Sequence, residues 1–311
     1  MSVLIEIIAP IFGIVLVGWL AARLHAFDEA ATRGLSLFAF NFAIPVMLLR
    51  SLAIAELPAE PQWALPIGYF AGAGAIFALA ALAARHGLGR AGAEPAIFGI
   101  TAAFSNTIIL GIPIVLRTYG EAAALPLSLL VAFHSAVLFT LTTLAAEFGL
   151  GAGARWFLVL LNVAKGLASN PILWGIGAGL ALNLLGLPLP GVIDQLAATL
   201  GAAALPAALF ALGANLSRFR IAATVRAATA LTLLKIAVQP LLVYAVTGPL
   251  LGVSGIPLAV AVTIAALPTG INAYLFAARY QAAVPEATST ILLSTLLSAA
   301  TLALLLAQLA P

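Results

Sequence analysis

Long apolar stretches, each bounded by a short cluster of charged or turn-forming residues, follow one another along almost the whole chain. An α-helix needs about 20 predominantly apolar residues to cross a hydrocarbon core about 30 Å thick. On that measure the pattern predicts an all-α chain of ten membrane helices, over roughly 3–22, 31–53, 63–84, 95–116, 122–146, 165–186, 192–216, 226–247, 255–278 and 286–309. The connections are short. The longest, about 147–164, is rich in glycine (Gly149, Gly151, Gly153) and divides the chain into two sets of five helices, 1–150 and 151–311. The first stretch is long enough to span and no basic segment precedes it, so it reads as a membrane helix rather than a cleaved signal.

Two stretches, the fourth and the ninth, are interrupted in the middle by polar and helix-breaking residues. One reads Phe104-Ser105-Asn106-Thr107-Ile108-Ile109-Leu110-Gly111-Ile112-Pro113, the other Ala266-Leu267-Pro268-Thr269-Gly270-Ile271-Asn272-Ala273-Tyr274. In lipid a broken helix frees N–H and C=O groups that each cost several kcal/mol unless satisfied. Matched breaks therefore point to a transporter's substrate site. Ser105 and Thr107 offer hydroxyls and Asn106 an amide, Pro113 removes an N–H, and Gly111 allows close approach. Pro268, Thr269, Gly270 and Asn272 repeat that grammar in reverse order. Half-helix N-termini brought to one point would attract an anion such as a carboxylate. The plainer alternative is a pair of proline kinks satisfied by neighbouring hydroxyls.

Charge placement orients the spans. With the N-terminus outside, the inner connections hold Arg23, Arg33, Arg85, Arg90, Arg155, Lys165, Arg218, Arg220, Arg226 and Arg279, and the outer ones only Arg50 and Arg117. That bias predicts both termini outside. Five helices per half then make the second half enter the membrane in the opposite sense, an inverted-topology repeat. Pro10 and Pro171 stand 171 − 10 = 161 residues apart, as do Pro45 and Pro206, Gly18 and Gly179, and Tyr119 and Tyr280.

Composition narrows the classes. The chain is 64% hydrophobic and 7% charged, with mean hydropathy +1.19, far too apolar to cover a water-facing surface. The net charge of +3 reflects topology, with no dense basic patch for nucleic acid. There are no cysteines, and His25, His86 and His134 are scattered, so neither thiolate chemistry nor a metal site is expected. With no nucleotide-binding loop and no aspartate-rich motif, no enzymatic activity and no cofactor are expected. Transport would run on a gradient or passively.

Three mid-span polar residues stand apart. Lys235 lies at the centre of the eighth stretch, and its side chain, about 6 Å long, cannot reach an interface about 15 Å away. A central lysine costs roughly 2.5–3.5 kcal/mol on insertion scales. Glu6, Glu147, Asp194 and Glu286 all lie near span ends, so Lys235 must meet water, backbone carbonyls or an anionic substrate, or shed its charge. A role in substrate charge or coupling and a role as a strut to freed carbonyls both remain open. At the repeat offset its counterpart is Gly74 (235 − 161 = 74), where Gly72 and Gly74 would leave it space. Gln239, one turn on, shares its face. His134, mid-span in the fifth stretch, suits either a proton relay or an interhelical hydrogen bond. Asn41 with Pro45 and Asn170 with Pro171 read as bends, and Asn215 as a helix cap.

The ten-helix plan, the Asn-Thr-x-x-x-Gly-x-Pro run at Asn106–Pro113 and the Pro-x-Gly-x-Asn run at Pro268–Asn272 resemble the bacterial auxin efflux carrier family, prokaryotic relatives of the plant PIN carriers. The likeness covers essentially the whole chain. It implies a homodimeric elevator carrier in the bacterial cytoplasmic membrane, with helices 1, 2, 6 and 7 as scaffold and helices 3–5 and 8–10 as the moving part. It also implies that helices 4 and 9 cross at the substrate site, and that the substrate is a small carboxylate such as malate or malonate. The plant members' Asn-Pro-x-x-Tyr style crossover is replaced here by Gly-Ile-Pro and Pro-Thr-Gly, which argues against auxin itself. The bile acid:sodium symporters look similar in architecture, but few acidic residues lie at mid-membrane here to hold sodium. A sodium-coupled symporter, a channel and a non-transporting receptor are the rival readings.

Overall fold

The computed structural model describes residues 2–55, 57, 63–151, 161, 164–219 and 225–309, and among them the named elements are helices, joined by turns and one isolated β-bridge. The helices are α1 Ser2–Arg23, α2 Glu29–Ala53, α3 Ala64–Gly87, α4a Glu94–Ala103, α4b Thr107–Tyr119, α5 Glu121–Gly149, α6 Pro171–Leu184, α7 Gly191–Leu216, α8 Val225–Leu250, α9a Gly255–Ala266, α9b Asn272–Tyr280 and α10 Val284–Leu309. Six of them, α2, α3, α5, α7, α8 and α10, are long and apolar enough to cross a membrane, and α1, α4b, α6 and α9a contribute shorter apolar segments. Each apolar stretch of the sequence carries helix, and both predicted interruptions are real gaps. Arg155 and Arg220, counted above among the inner charges, lie outside the described residues.

Prolines set where three of these helices deform. The backbone of α2, α4b and α8 widens into a π-type turn at Ala39–Ala43, Thr107–Gly111 and Leu234–Val238, each ending two residues before a proline: Pro45, Pro113 and Pro240. Proline lacks an N–H and its ring crowds the carbonyl four residues back. A turn with i→i+5 bonding moves that carbonyl aside without ending the helix. Asn41 and Lys235 both sit inside such turns. Asn170 caps α6 by accepting from Ile172 N at 2.9 Å, and Asn215 Nδ2 donates to Ala211 O in the last turn of α7.

Small residues set the packing. A Cβ on Gly18 would collide with Phe210 O, and one on Gly213 with Val15 O, so α1 and α7 touch backbone to backbone. Gly175 against Pro45 O and Gly179 against Leu49 O do the same for α6 and α2. Such contacts are how membrane helices gain close packing where apolar surface alone gives no preference. Asn183 Nδ2 fastens the end of the second pair, donating to Leu52 O, Ala53 O and Ala55 O at 2.9, 3.1 and 2.7 Å. The remaining helices pack chiefly among themselves: α3 on α4a and α8, α5 on α4a, α8 on α9a and α10. The space expected for Lys235 near α3 is used otherwise. Gly72 lies against Val243 and Gly68 against Thr247, and Gly74 faces open space, because α3 and α8 cross further along. Lys235 turns to α9a instead.

Ion pairs lie at the helix ends. Arg50 meets Asp194 at 2.7 Å, Arg90 meets Glu286 at 3.0 Å and Glu94 at 3.2 Å, and Arg218 meets Glu29 at 3.0 Å.

Candidate functional site

The two interruptions meet. Ser105 and Thr269 form an antiparallel β-bridge, with Asn106 N donating to Pro268 O and Gly270 N to Phe104 O, each at 2.9 Å. Gly270 is required there: a Cβ on it would stand 2.8 Å from the Phe104 ring and 3.2 Å from Ser105 O. Gly111 serves a neighbouring contact, where a Cβ would press on Leu267 Cδ1 and Ile264 Cδ1 at 2.8 and 2.9 Å.

The other freed groups find partners in three surrounding helices. Ser105 N donates to His134 Nε2 on α5 at 3.2 Å, and Thr269 N to Ser294 Oγ on α10 at 3.1 Å. Among the carbonyls of the last turns, Thr101 O accepts from Thr269 Oγ1 at 2.8 Å, Ala103 O from Gln239 Nε2 at 3.0 Å and Ala265 O from Lys235 Nζ at 2.6 Å. Left bare in hydrocarbon, each of these groups would cost several kcal/mol. The pattern is nearly symmetric: each break sends one amide to the other break and one to the long helix that follows it. The exception is α8, which supplies two of the three carbonyl donors, Thr269 supplying the third.

What remains uncommitted lies on the C-terminal side of each gap, at the starts of α4b and α9b. Neither α4b nor α9b has a side-chain cap, so first-turn amides and the positive ends of both half-helix dipoles face the meeting point. The side-chain amides of Asn106 and Asn272 have no hydrogen-bond partner among the described residues, although Asn106 is only 6% exposed. Ser105, Thr107 and Thr269 are buried beside them. The carboxylates of Glu94, Glu147, Asp194 and Glu286 stay at the helix ends. Of the residues singled out in the sequence, Ser105, Asn106, Thr107, Pro268, Thr269 and Gly270 are thus brought together, with Asn272 at the start of α9b. Pro113 is buried below, shaping the first turn of α4b. Among the described residues no group of acidic, histidine or cysteine side chains suits a metal ion.

Sequence reasoning missed Tyr69, whose hydroxyl lies 3.3 Å from Ser105 Oγ and 3.4 Å from His134 Nδ1. Its signal was present: a lone phenol among the glycines of Gly68–Gly74, a run whose small residues suggest packing alone. Ser294 carried no signal, being one of several serines and threonines on α10.

Two broken membrane helices joined at a buried, donor-rich point define a transport protein. The comparisons agree. A profile of the family described as membrane transport protein matches residues 3–306, and the chain belongs to that family, the auxin efflux carriers. It is 28% identical over 307 residues to a protein of Rhizobium meliloti (strain 1021) named "Putative malonate transporter", covering 97% of this chain and 94% of that one. It is 26% identical over 308 residues to an "Uncharacterized transporter" of Methanothermobacter thermautotrophicus, covering 96% of each.

Proposed function

We propose that this protein is a secondary carrier of small organic anions, carboxylates above all, working by elevator-type alternating access. The observation that carries the reading is the crossover itself. Two uncapped half-helix N-termini and the unpaired amides of Asn106 and Asn272 converge at a buried point, and the carboxylates of α4a, α5, α7 and α10 lie elsewhere. That is an environment for a carboxylate and a poor one for sodium. The name of the Rhizobium relative suggests malonate as the first compound to try.

The wider plan follows the same line. The substrate domain comprises helices 3–5 and 8–10, and the scaffold helices 1, 2, 6 and 7, whose glycine-mediated contacts make a stiff frame. Residues 1–150 and 151–311 are two inverted repeats of five spans, and both termini face outward from the bacterial cytoplasmic membrane. Each ion pair joins residues that charge counting puts on one side: Arg50 with Asp194 outside, Arg90 with Glu286 and Arg218 with Glu29 inside. The working unit is a homodimer. Lys235 and Gln239 act first as caps that hold the two breaks in shape, and the lysine adds positive charge beside the site.

The test is malonate counterflow in proteoliposomes of the purified protein, with and without a sodium gradient. Saturable counterflow that ignores sodium is expected. Flux that requires sodium would turn the assignment to a symporter of the bile acid type. Binding without flux would make the protein a receptor, and flux without saturation a channel.

A further inference from the structure

Tyr69, His134 and Ser105 form a closed triangle in the interior, exposed by 0%, 1% and 0%. Its three links are Ser105 N to His134 Nε2 at 3.2 Å, His134 Nδ1 to Tyr69 Oη at 3.4 Å, and Tyr69 Oη to Ser105 Oγ at 3.3 Å. A backbone amide can only donate, so Nε2 accepts and carries no proton. The ring is therefore neutral, its single proton sits on Nδ1, and that proton goes to Tyr69 Oη. Free histidine in water prefers the other tautomer, so the fold imposes this one. It also removes His134 from any proton relay, since protonating Nε2 would detach the Ser105 amide and loosen the crossover.

Counting protons gives a further result. The triangle holds the Ser105 N–H, the His134 Nδ1–H and two hydroxyl protons, four donors for three links. One hydroxyl proton is left over. A phenol, with a pKa near 10, is a far stronger hydrogen-bond acid than an alkyl alcohol. It takes the internal link, donating to Ser105 Oγ, and the surplus proton belongs to Ser105. Phe104, its ring centroid 4.5 Å from that of His134, helps hold the imidazole in place.

We infer that His134 and Tyr69 are positioning residues that make the Ser105 hydroxyl an obligatory hydrogen-bond donor at the crossover, where it serves an oxygen of the bound anion. The His134 tautomer stands on geometry and the direction of the Tyr69–Ser105 link on the stronger acidity of a phenol, whereas the role toward an anion rests on the function proposed above. The order explains why a serine lies at this point of the break. With one lone pair of Ser105 Oγ engaged by Tyr69, the hydroxyl proton is turned away from the phenol, which suits a carboxylate better than a guest that offers only donors.

Two measurements on the full chain test it. Nitrogen NMR of the protein labelled with 15N-histidine, carrying His25→Asn and His86→Gln at two exposed positions, reports on His134 alone. A neutral ring protonated at Nδ1 is expected. A ring protonated at Nε2, or an imidazolium at neutral pH, would overturn the proton order. Malonate affinity is then measured in a double-mutant cycle. Ser105→Ala and Tyr69→Phe should each weaken binding by about tenfold, the worth of one hydrogen bond to a charged group. The double variant should be no weaker than Ser105→Ala alone, because Tyr69 acts through the serine. Additive losses, or an unchanged affinity in Tyr69→Phe, would overturn the positioning role. Should the wild type bind neither malonate nor acetate, the anion reading falls and the donor role with it, while the NMR spectrum still judges the proton order.

Discussion

Lys235 and Gln239 stand one turn apart on α8, and each donates to the last turn of a different broken helix, Nζ to Ala265 O at 2.6 Å and Nε2 to Ala103 O at 3.0 Å. One face of one helix thus holds the ends of α9a and α4a. Both roles open to Lys235 meet here: the strut to freed carbonyls is present in the structure, and it stands beside the site where a positive charge would be useful.

The two caps should respond differently to removal. Gln239→Leu leaves Ala103 O buried without a donor and costs about 1–3 kcal/mol. Lys235→Met loses a similar bond but also removes a buried lysine, a residue that costs roughly 2.5–3.5 kcal/mol on insertion scales. Thermal unfolding in detergent should show a lowered midpoint for Gln239→Leu and an unchanged or raised one for Lys235→Met, with counterflow lost in the lysine variant. Full counterflow in Lys235→Met would reduce the lysine to a dispensable strut.

Gly270→Ala should abolish transport. The added methyl would meet the Phe104 ring and Ser105 O, neither of which can withdraw without parting the bridge between the two breaks. Gly111→Ala presses only on the methyl ends of Leu267 and Ile264, which can turn away. Counterflow should survive in the second variant, reduced by a few-fold, and an active Gly270→Ala protein would refute the bridge as drawn.

Glycines of α6 offer an internal control. Gly179→Ala would drive a methyl into Leu49 O and should cost about 1–3 kcal/mol by overpacking. Gly177 has nothing near its missing Cβ, so Gly177→Ala should raise stability by roughly 0.5–1 kcal/mol through the unfolded state. Equal unfolding midpoints for the two would contradict the close approach of α2 and α6.

Arg90 and Arg218 both pair with glutamates, but their partners differ in exposure. The Glu286 side chain is 5% exposed and that of Glu29 is 72% exposed. Removing Arg218 breaks a solvent-screened pair worth at most about 1 kcal/mol. Removing Arg90 strands a nearly buried carboxylate at the start of α10, and with Arg90 itself 35% exposed the loss falls at about 2 kcal/mol, short of a fully buried pair. Arg90→Ala should therefore unfold at a clearly lower temperature than Arg218→Ala.

Much of this molecule could be read from its residues. Apolar runs placed the helices because hydrocarbon tolerates little else, and Pro268 with Gly270 and Asn106 with Pro113 marked the gaps because they break helical bonding. That the gaps touch could only be suspected, since two separated kinks would look the same on paper. The widened turns before Pro45, Pro113 and Pro240 escaped notice, because sequence tells where a helix cannot be regular and not how it yields. Tyr69 escaped for a different reason. Hydrogen-bond partners far apart in the chain are fixed by how α3, α4a and α5 pack, and a phenol in an apolar run looks like any large side chain until that packing is known.

Main chain pairs with main chain where the two gaps meet, so the rigid part of the site is written in groups that every residue but proline possesses. Few substitutions can erode it. On the proposed function, variation is left to a handful of side chains around it, Ser105, Asn106, Thr107 and Asn272, and exchanging these would alter what is recognised while leaving the scaffold in place. A lineage built this way can acquire a new cargo by a few point changes, with no new fold.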